Sequence, residues 1–209
     1  MRTKTLLLTA ALVAAGVATS MAQSVFSVNA VGYVNVDVPQ GFSIIANPLD
    51  AGAGNNTVSK LLASVPDGTS VYKFVNGAYS VNTLDLGEWT LPNDTLAPGE
   101  GAFIRSPSAT KVTFVGEVMQ GSLSNPIPAG FSIKSSQVPQ SGKIDTDLGF
   151  PAQDGDTIYQ FNNAKNSYDV HTLDLGEWSG GTPTPKVGEG FFVKVAKATN
   201  WTRTFSVNN

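Results

Sequence analysis

Phe26, Val28, Ala30, Val34, Val36 and Val38 fall on one parity, while Ser27, Asn29, Asn35 and Asp37 fall on the other. Successive side chains of an extended chain point to opposite faces, so a period of two over this distance predicts a half-buried β-strand. Gly32 interrupts it and marks a candidate bulge. Short apolar runs bounded by turn residues continue downstream. Residues 42–46, stopped by Asn47-Pro48, match 131–134; the aromatic runs 70–74 and 157–161 each follow an Asp-Gly turn. Asn76-Gly77 predicts a two-residue hairpin turn before a return strand at 79–81, matched by 168–170 after a longer Asn-rich loop. The remaining predicted strands are 102–105 with 191–194, and 112–115 with 203–207. One helix of a turn or two is expected after Thr57, with Val58, Leu61, Leu62 and Val65 on one face and Pro66 as the stop. The second counterpart, 143–149, is a poor helix.

These paired segments come from a duplication. Thr83-Leu-Asp-Leu-Gly-Glu-Trp89 recurs unchanged as Thr172-Leu-Asp-Leu-Gly-Glu-Trp178, 89 residues later, and the same offset links Gly99-Glu100-Gly101 to Gly188-Glu189-Gly190. The expected organisation is a signal peptide at 1–22, an N-terminal extension strand at 23–31, and two β repeats at 32–120 and 121–209. Short strands separated by Gly- and Pro-rich turns predict an all-β fold, two tandem sandwich- or barrel-like units with at most one short helix. Two adjacent lobes and one intertwined sheet system both satisfy the pattern.

Arg2 and Lys4, the apolar run 6–17 and the small residues of Ser20-Met21-Ala22 have the form of an export signal with cleavage after Ala22. The run is shorter than the roughly 20 residues of a membrane-spanning helix. The expected product is secreted, periplasmic or at the cell surface, with no membrane span. Thirteen basic residues less Arg2 and Lys4 leave 11 against 16 acidic ones, a net charge of −5. That balance disfavours nucleic acid and anionic membranes, which reward clustered cations. Charged residues are 14% of the chain, against about 25% in ordinary domains, so the surface is rich in neutral hydrogen-bonding groups. No cysteine is present, which excludes disulfides, thiol catalysis and Cys-based metal sites.

The repeated Asp-Leu-Gly-Glu-Trp motif supplies the candidate site residues. Trp89 and Trp178 offer indoles for sugar stacking, with Asp85, Glu88, Asp174 and Glu177 beside them. Paired carboxylates are also what a glycoside hydrolase needs. The structural alternative puts Leu84, Leu86 and Trp89 in the core, with Asp85 and Glu88 holding a loop through backbone N–H groups. Tyr72, Tyr79, Tyr159 and Tyr168 form either an aromatic platform or core pairs. His171 is the one histidine, and Asn82 replaces it in the first repeat. No nucleophile elbow accompanies it, so no catalytic residue is assigned. Asp145, Asp147, Asp154 and Asp156 read as turn residues in preference to calcium ligands; no metal or cofactor is expected. The Gly-Glu-Gly segments read as tight turns requiring positive φ.

The segments 29–35, 41–48, 71–74 and 98–104 resemble a group of uncharacterised exported proteins of Verrucomicrobia-type bacteria, over nearly the whole mature chain. More loosely, each repeat is similar to small β modules of bacterial surface proteins. Ser135-Ser136 departs from that pattern, standing where the first repeat has Asn47-Pro48. The resemblance implies an exported β protein and brings no catalytic residue. The leading expectation is a non-enzymatic surface protein with a structural or interaction role, self-assembling by strand addition through residues 25–38. The alternatives are a module binding surface glycans and, third, a carboxylate-dependent glycoside hydrolase.

Overall fold

The computed structural model describes residues 29–208. The signal peptide and most of the N-terminal extension lie outside them. The protein is all-β with one short helix, and its strands fall into two matching sets. The first repeat holds β1 (Val31–Val38), β2 (Gly41–Ala46), α1 (Val58–Leu61), β3 (Ser70–Val75), β4 (Ala78–Asp85), β5 (Glu88–Trp89), β6 (Gly101–Ser106) and β7 (Thr110–Glu117). The second holds β8 (Gly121–Ile127), β9 (Gly130–Lys134), β10 (Thr157–Asn162), β11 (Ser167–Asp174), β12 (Glu177–Trp178), β13 (Phe191–Val195) and β14 (Thr199–Phe205).

Each set makes a two-stranded ribbon and a five-stranded antiparallel sheet. The ribbons are β1–β7 and β8–β14; the sheets run β2-β6-β3-β4-β5 and β9-β13-β10-β11-β12. β1 pairs with β7 in unbroken register from Val31–Glu117 to Val38–Thr110. Gly32 is therefore no bulge. It makes room for Leu49, whose Cδ2 would lie 2.5 Å from an added Cβ.

The alternation in β1 turns Val34, Val36 and Val38 inward. With Val112 and Phe114 of β7, Val58 and Leu62 around α1, and Ile45, Val71, Leu84, Ala102 and Ile104 of the sheet, they form one core. α1 spans four residues after an extended Thr57 that makes no side-chain cap bond. The second unit builds its own core from Ile127, Ile144, Leu148, Phe150, Ile158, Phe191, Val193 and Trp201. Here 143–149 forms turns, with Gly149 N–H donating to Asp145 O, and still delivers Ile144 and Leu148 inward.

β8 was not visible in the sequence, because Pro126 reads as a strand breaker. It is tolerated in a two-stranded ribbon. Asn125 of the same strand is buried, its Nδ2 donating to Gly99 O and Ser135 O.

The two units interlock. Ala46 N–H donates to Gly188 O at 2.9 Å, Ser135 N–H donates to Gly99 O at 3.1 Å, and bridges join Ile45 to Glu189 and Glu100 to Lys134. Each Gly-Glu-Gly segment thus extends the other unit's sheet. Gly99 and Gly188 have the expected positive φ, but Gly101 and Gly190 serve a different purpose. A Cβ on Gly190 would sit 3.2 Å from Gly101 Cα and 2.8 Å from Ile44 Cγ2, so these glycines let the segments cross. A third core, Ile44, Phe103, Ile133 and Phe192, lies between the units.

Candidate functional site

The repeated motif is a β-hairpin. Leu84 pairs with Trp89 and Asp85 with Glu88 across a two-residue turn, and Leu173–Trp178 and Asp174–Glu177 repeat this. Cross-strand pairing puts Trp89 on the same inward face as Leu84, which leaves it 9% exposed within the core. It cannot present the open indole face expected of a stacking residue. Trp178 is half-buried, its Nε1 donating to Asp145 Oδ2 at 2.8 Å. Leu86 was expected in the core, but it occupies the turn with φ 50° and is 89% exposed, as is Leu175 at 88%.

Asp85, Glu88, Asp174 and Glu177 are exposed. The loop is held instead by Asp67, whose two carboxylate oxygens accept the N–H groups of Leu86 and Gly87, both at 3.0 Å; Asp154 accepts from Gly176 in the second unit. A hollow of about 790 Å³ beside the first hairpin is lined by Glu88, Trp89, Asp67 and Ser59. Asp85 is not part of its wall.

The other sequence candidates have structural work. His171 Nδ1 lies 2.7 Å from Gly181 O, while Asn82 in the first unit accepts from Leu91 N–H and donates to Leu91 O. Both therefore tie down the loop after the hairpin. Asp147 and Asp156 accept backbone N–H bonds from Lys143 and Gln153, as turn-forming carboxylates do.

The aromatic side chains form the most extended feature. Each five-stranded sheet is apolar on both faces, and its second face carries rings at matching positions. In the first unit these are Phe42, Tyr72, Phe74, Tyr79 and Phe103. In the second they are Phe131, Tyr159, Phe161, Tyr168 and Phe192. Phe103 and Phe192 are buried where the two faces meet, 5.9 Å apart between centroids. Away from that seam the rings emerge: Tyr79 is 49% exposed, Phe131 46% and Tyr168 38%. Edge-to-face contacts fix them, among them Tyr72–Tyr79, Phe161–Tyr168 and Tyr159–Tyr168. Of the four tyrosines, Tyr72 and Tyr159 pack against the third core, as the core-pair reading expects, while Tyr79 and Tyr168 are exposed at its rim as the platform reading expects. The phenylalanines that complete the platform were not recognised. Their signal was available in Val71-Tyr72-Lys73-Phe74 and Ala102-Phe103-Ile104, where both parities are apolar and both faces must be covered.

A hollow of about 380 Å³ crosses the platform between Phe42, Tyr72, Tyr79, Phe103, Phe161 and Tyr168. A polar trough of about 850 Å³ shares Phe161 and Tyr168 with it and adds Gln160, Asp169, Thr184 and Glu189. Burial raises the pKa of the Tyr168 phenol to about 12, helped by repulsion from Tyr79, which burial raises too. Both hydroxyls are neutral donors at physiological pH. Asp169 is held below the usual carboxylate range by hydrogen bonds from Asn162 and Lys165.

No protein-family model, curated protein or solved structure matches this chain. Among the described residues no helix is long and apolar enough to cross a membrane.

Proposed function

We propose that this protein is an exported, non-catalytic glycan-binding module that lays a sugar chain across the aromatic seam of its two repeats. The observation that carries this is the continuity of the ring platform with the polar trough at Phe161 and Tyr168. A pyranose has apolar C–H faces and an equatorial fringe of hydroxyls. Rings that are exposed yet fixed by neighbouring rings stack on the former at little entropic cost, and the carboxamides, hydroxyls and carboxylates of the trough serve the latter. The low charge of the chain suits a neutral ligand. Self-assembly by addition of residues 25–38 has weaker support, since Val31–Val38 already pairs with β7 along its whole length.

Affinity electrophoresis in gels containing soluble neutral polysaccharides tests the proposal. At least one polysaccharide is expected to retard the protein, and Tyr79→Ala or Tyr168→Ala to weaken that retardation by about 2 kcal/mol, as truncating a central aromatic anchor does. Retardation unaffected by both substitutions, or absent across the panel, would remove it.

A further inference from the structure

The hollow that crosses the platform is a cup of rings. Phe103 is its floor. Phe42, Tyr79, Phe161 and Tyr168 each meet that floor with centroids 5.4–6.4 Å apart and planes inclined by 62–88°. Tyr72 joins Phe42 to Tyr79 along one wall, at 5.9 Å and 6.4 Å, and Phe161 meets Tyr168 at 5.5 Å along the other. Among the described residues the two walls make no ring contact with each other, and the space of about 380 Å³ lies between them. Phe42, Tyr79 and Tyr168 are exposed, so the cup is open to solvent. One clasp ties the walls across the seam. Asn163, in the β10–β11 loop that follows Phe161, donates its Nδ2 hydrogens to Phe42 O at 2.9 Å and Ser43 Oγ at 2.6 Å. Asn166 of the same loop lines the cup beside the rings.

Rings that rise steeply from a common floor turn their faces, the negative side of the quadrupole, toward the space they enclose. No carboxylate lines that space among the described residues. A metal ion or a primary ammonium holds its water too tightly to shed it without oxygen ligands in exchange. A quaternary ammonium has a diffuse charge and no N–H to satisfy, so ring faces alone can take it. The duplication supplies a precedent. At Phe131, the counterpart of Phe42, the chain lays its own exposed Lys194 ammonium 5.6 Å from the ring centroid. The counterpart of Lys194 is Arg105, which pairs with Phe42 across β2 and β6 and so stands on the platform face. Arg105 is exposed, is not part of the cup's wall, and makes no ion pair among the described residues.

We infer that this cup seats a quaternary ammonium group, carried by the bound glycan as a phosphocholine substituent whose phosphate meets Arg105. The carrier rests on the glycan-binding proposal, while the cup rests on its own rings. The two charges of the substituent cancel, in keeping with a chain of low charge.

Isothermal titration of the protein with choline, phosphocholine and 3,3-dimethylbutan-1-ol tests this. The last has the shape of choline with carbon in place of the charged nitrogen. Choline is expected to bind about tenfold more tightly than this neutral isostere, the worth of its cation–π contacts. Tyr168→Ala should reduce that difference, and Tyr168→Phe, which keeps the ring, should retain it. Arg105→Gln should erase the further gain of phosphocholine over choline. A phosphocholine-conjugated dextran should retard the protein in affinity gels, and free choline should release it. Choline binding no better than its isostere, or no binding by either, overturns the cup, and the neutral polysaccharide panel then decides separately whether the platform falls. A conjugate that fails to retard a choline-binding protein overturns the glycan as carrier, and choline-sensitive binding to phosphatidylcholine vesicles would then assign the group to a lipid.

Discussion

Single side chains carry two consequences that solution measurements can check. Burial, and after it the neighbouring Tyr79, push the Tyr168 phenol up to about 12. A phenol whose folded pKa exceeds its unfolded value of about 10 contributes stability that is whole below pH 10. That contribution is lost as pH rises through 12. Subtracting the 295 nm absorbance titration of Tyr168→Phe from that of the native chain should isolate a step near pH 12, and a step near 10 would mean that the ring is not shielded. Leu86 and Leu175 raise a different point. Both sit in the left-handed region, with φ 50° and 49°, where a non-glycine L-residue is strained by roughly 1 kcal/mol or more. Asn is better tolerated there, so Leu86→Asn should stabilise the protein by about 0.5–1 kcal/mol in thermal unfolding. The exposed Leu side chain forfeits little when removed, and an unchanged or lower midpoint would show that the turn stores no strain. The turn also shows why the motif misled at the level of single residues. Leu84-Asp85-Leu86 alternates as a strand does, which would put both leucines on one face, and only pairing across the turn decides that Leu84 and Trp89 go in while Leu86 goes out.

Elements were more legible than residues, for a physical reason. A strand announces itself by alternation, a turn by glycine or asparagine, and both are local. β1, the Asn76-Gly77 hairpin and the short helix after Thr57 were accordingly predicted from the chain alone. The Asp-Leu-Gly-Glu-Trp hairpin was missed as a hairpin because Leu-Gly is an unusual pair for a two-residue turn; Asp67, nineteen residues upstream of Leu86, supports it from outside the local window. The interlock of the Gly-Glu-Gly segments was also illegible, since its pairings, such as Ile45 with Glu189 and Glu100 with Lys134, join residues far apart in sequence. It has a direct test in Gly190→Ala. The new methyl group would lie 2.8 Å from Ile44 Cγ2 and 3.2 Å from Gly101 Cα, with backbone on one side and a packed core on the other. Overpacking of this kind costs typically 1–3 kcal/mol. Urea unfolding should register a loss in that range, and a neutral result would mean that the segments do not cross as closely as described.

At the scale of the whole molecule, each repeat covers an apolar sheet face of the other. A β-sheet with one apolar face needs one cover, and the ribbon with its helix or turns supplies it. These sheets are apolar on two faces, and the second cover for each is the other repeat. Separating the units would expose Ile44, Tyr72, Phe74 and Phe103 on one side, with Ile133, Tyr159, Phe161 and Phe192 on the other, and would break the reciprocal bridges at Glu100 and Glu189. The native chain should therefore unfold in a single calorimetric transition, with equal calorimetric and van't Hoff enthalpies, although it contains two copies of one unit. Phe192 is the residue to remove. It is 7% exposed, and its ring meets Phe74 at 5.4 Å, Phe103 at 5.9 Å and Tyr168 at 6.2 Å between centroids, so it touches both repeats and the platform at once. Phe192→Ala should cost about 3–5 kcal/mol, the range for truncating a buried phenylalanine. Because the seam serves both units, the loss should lower one shared midpoint. Two resolved transitions in the native protein would show that the repeats fold independently and that the aromatic seam is a contact between finished domains. A single transition would place the rings that emerge at its rim on a scaffold that only the joined pair can hold rigid.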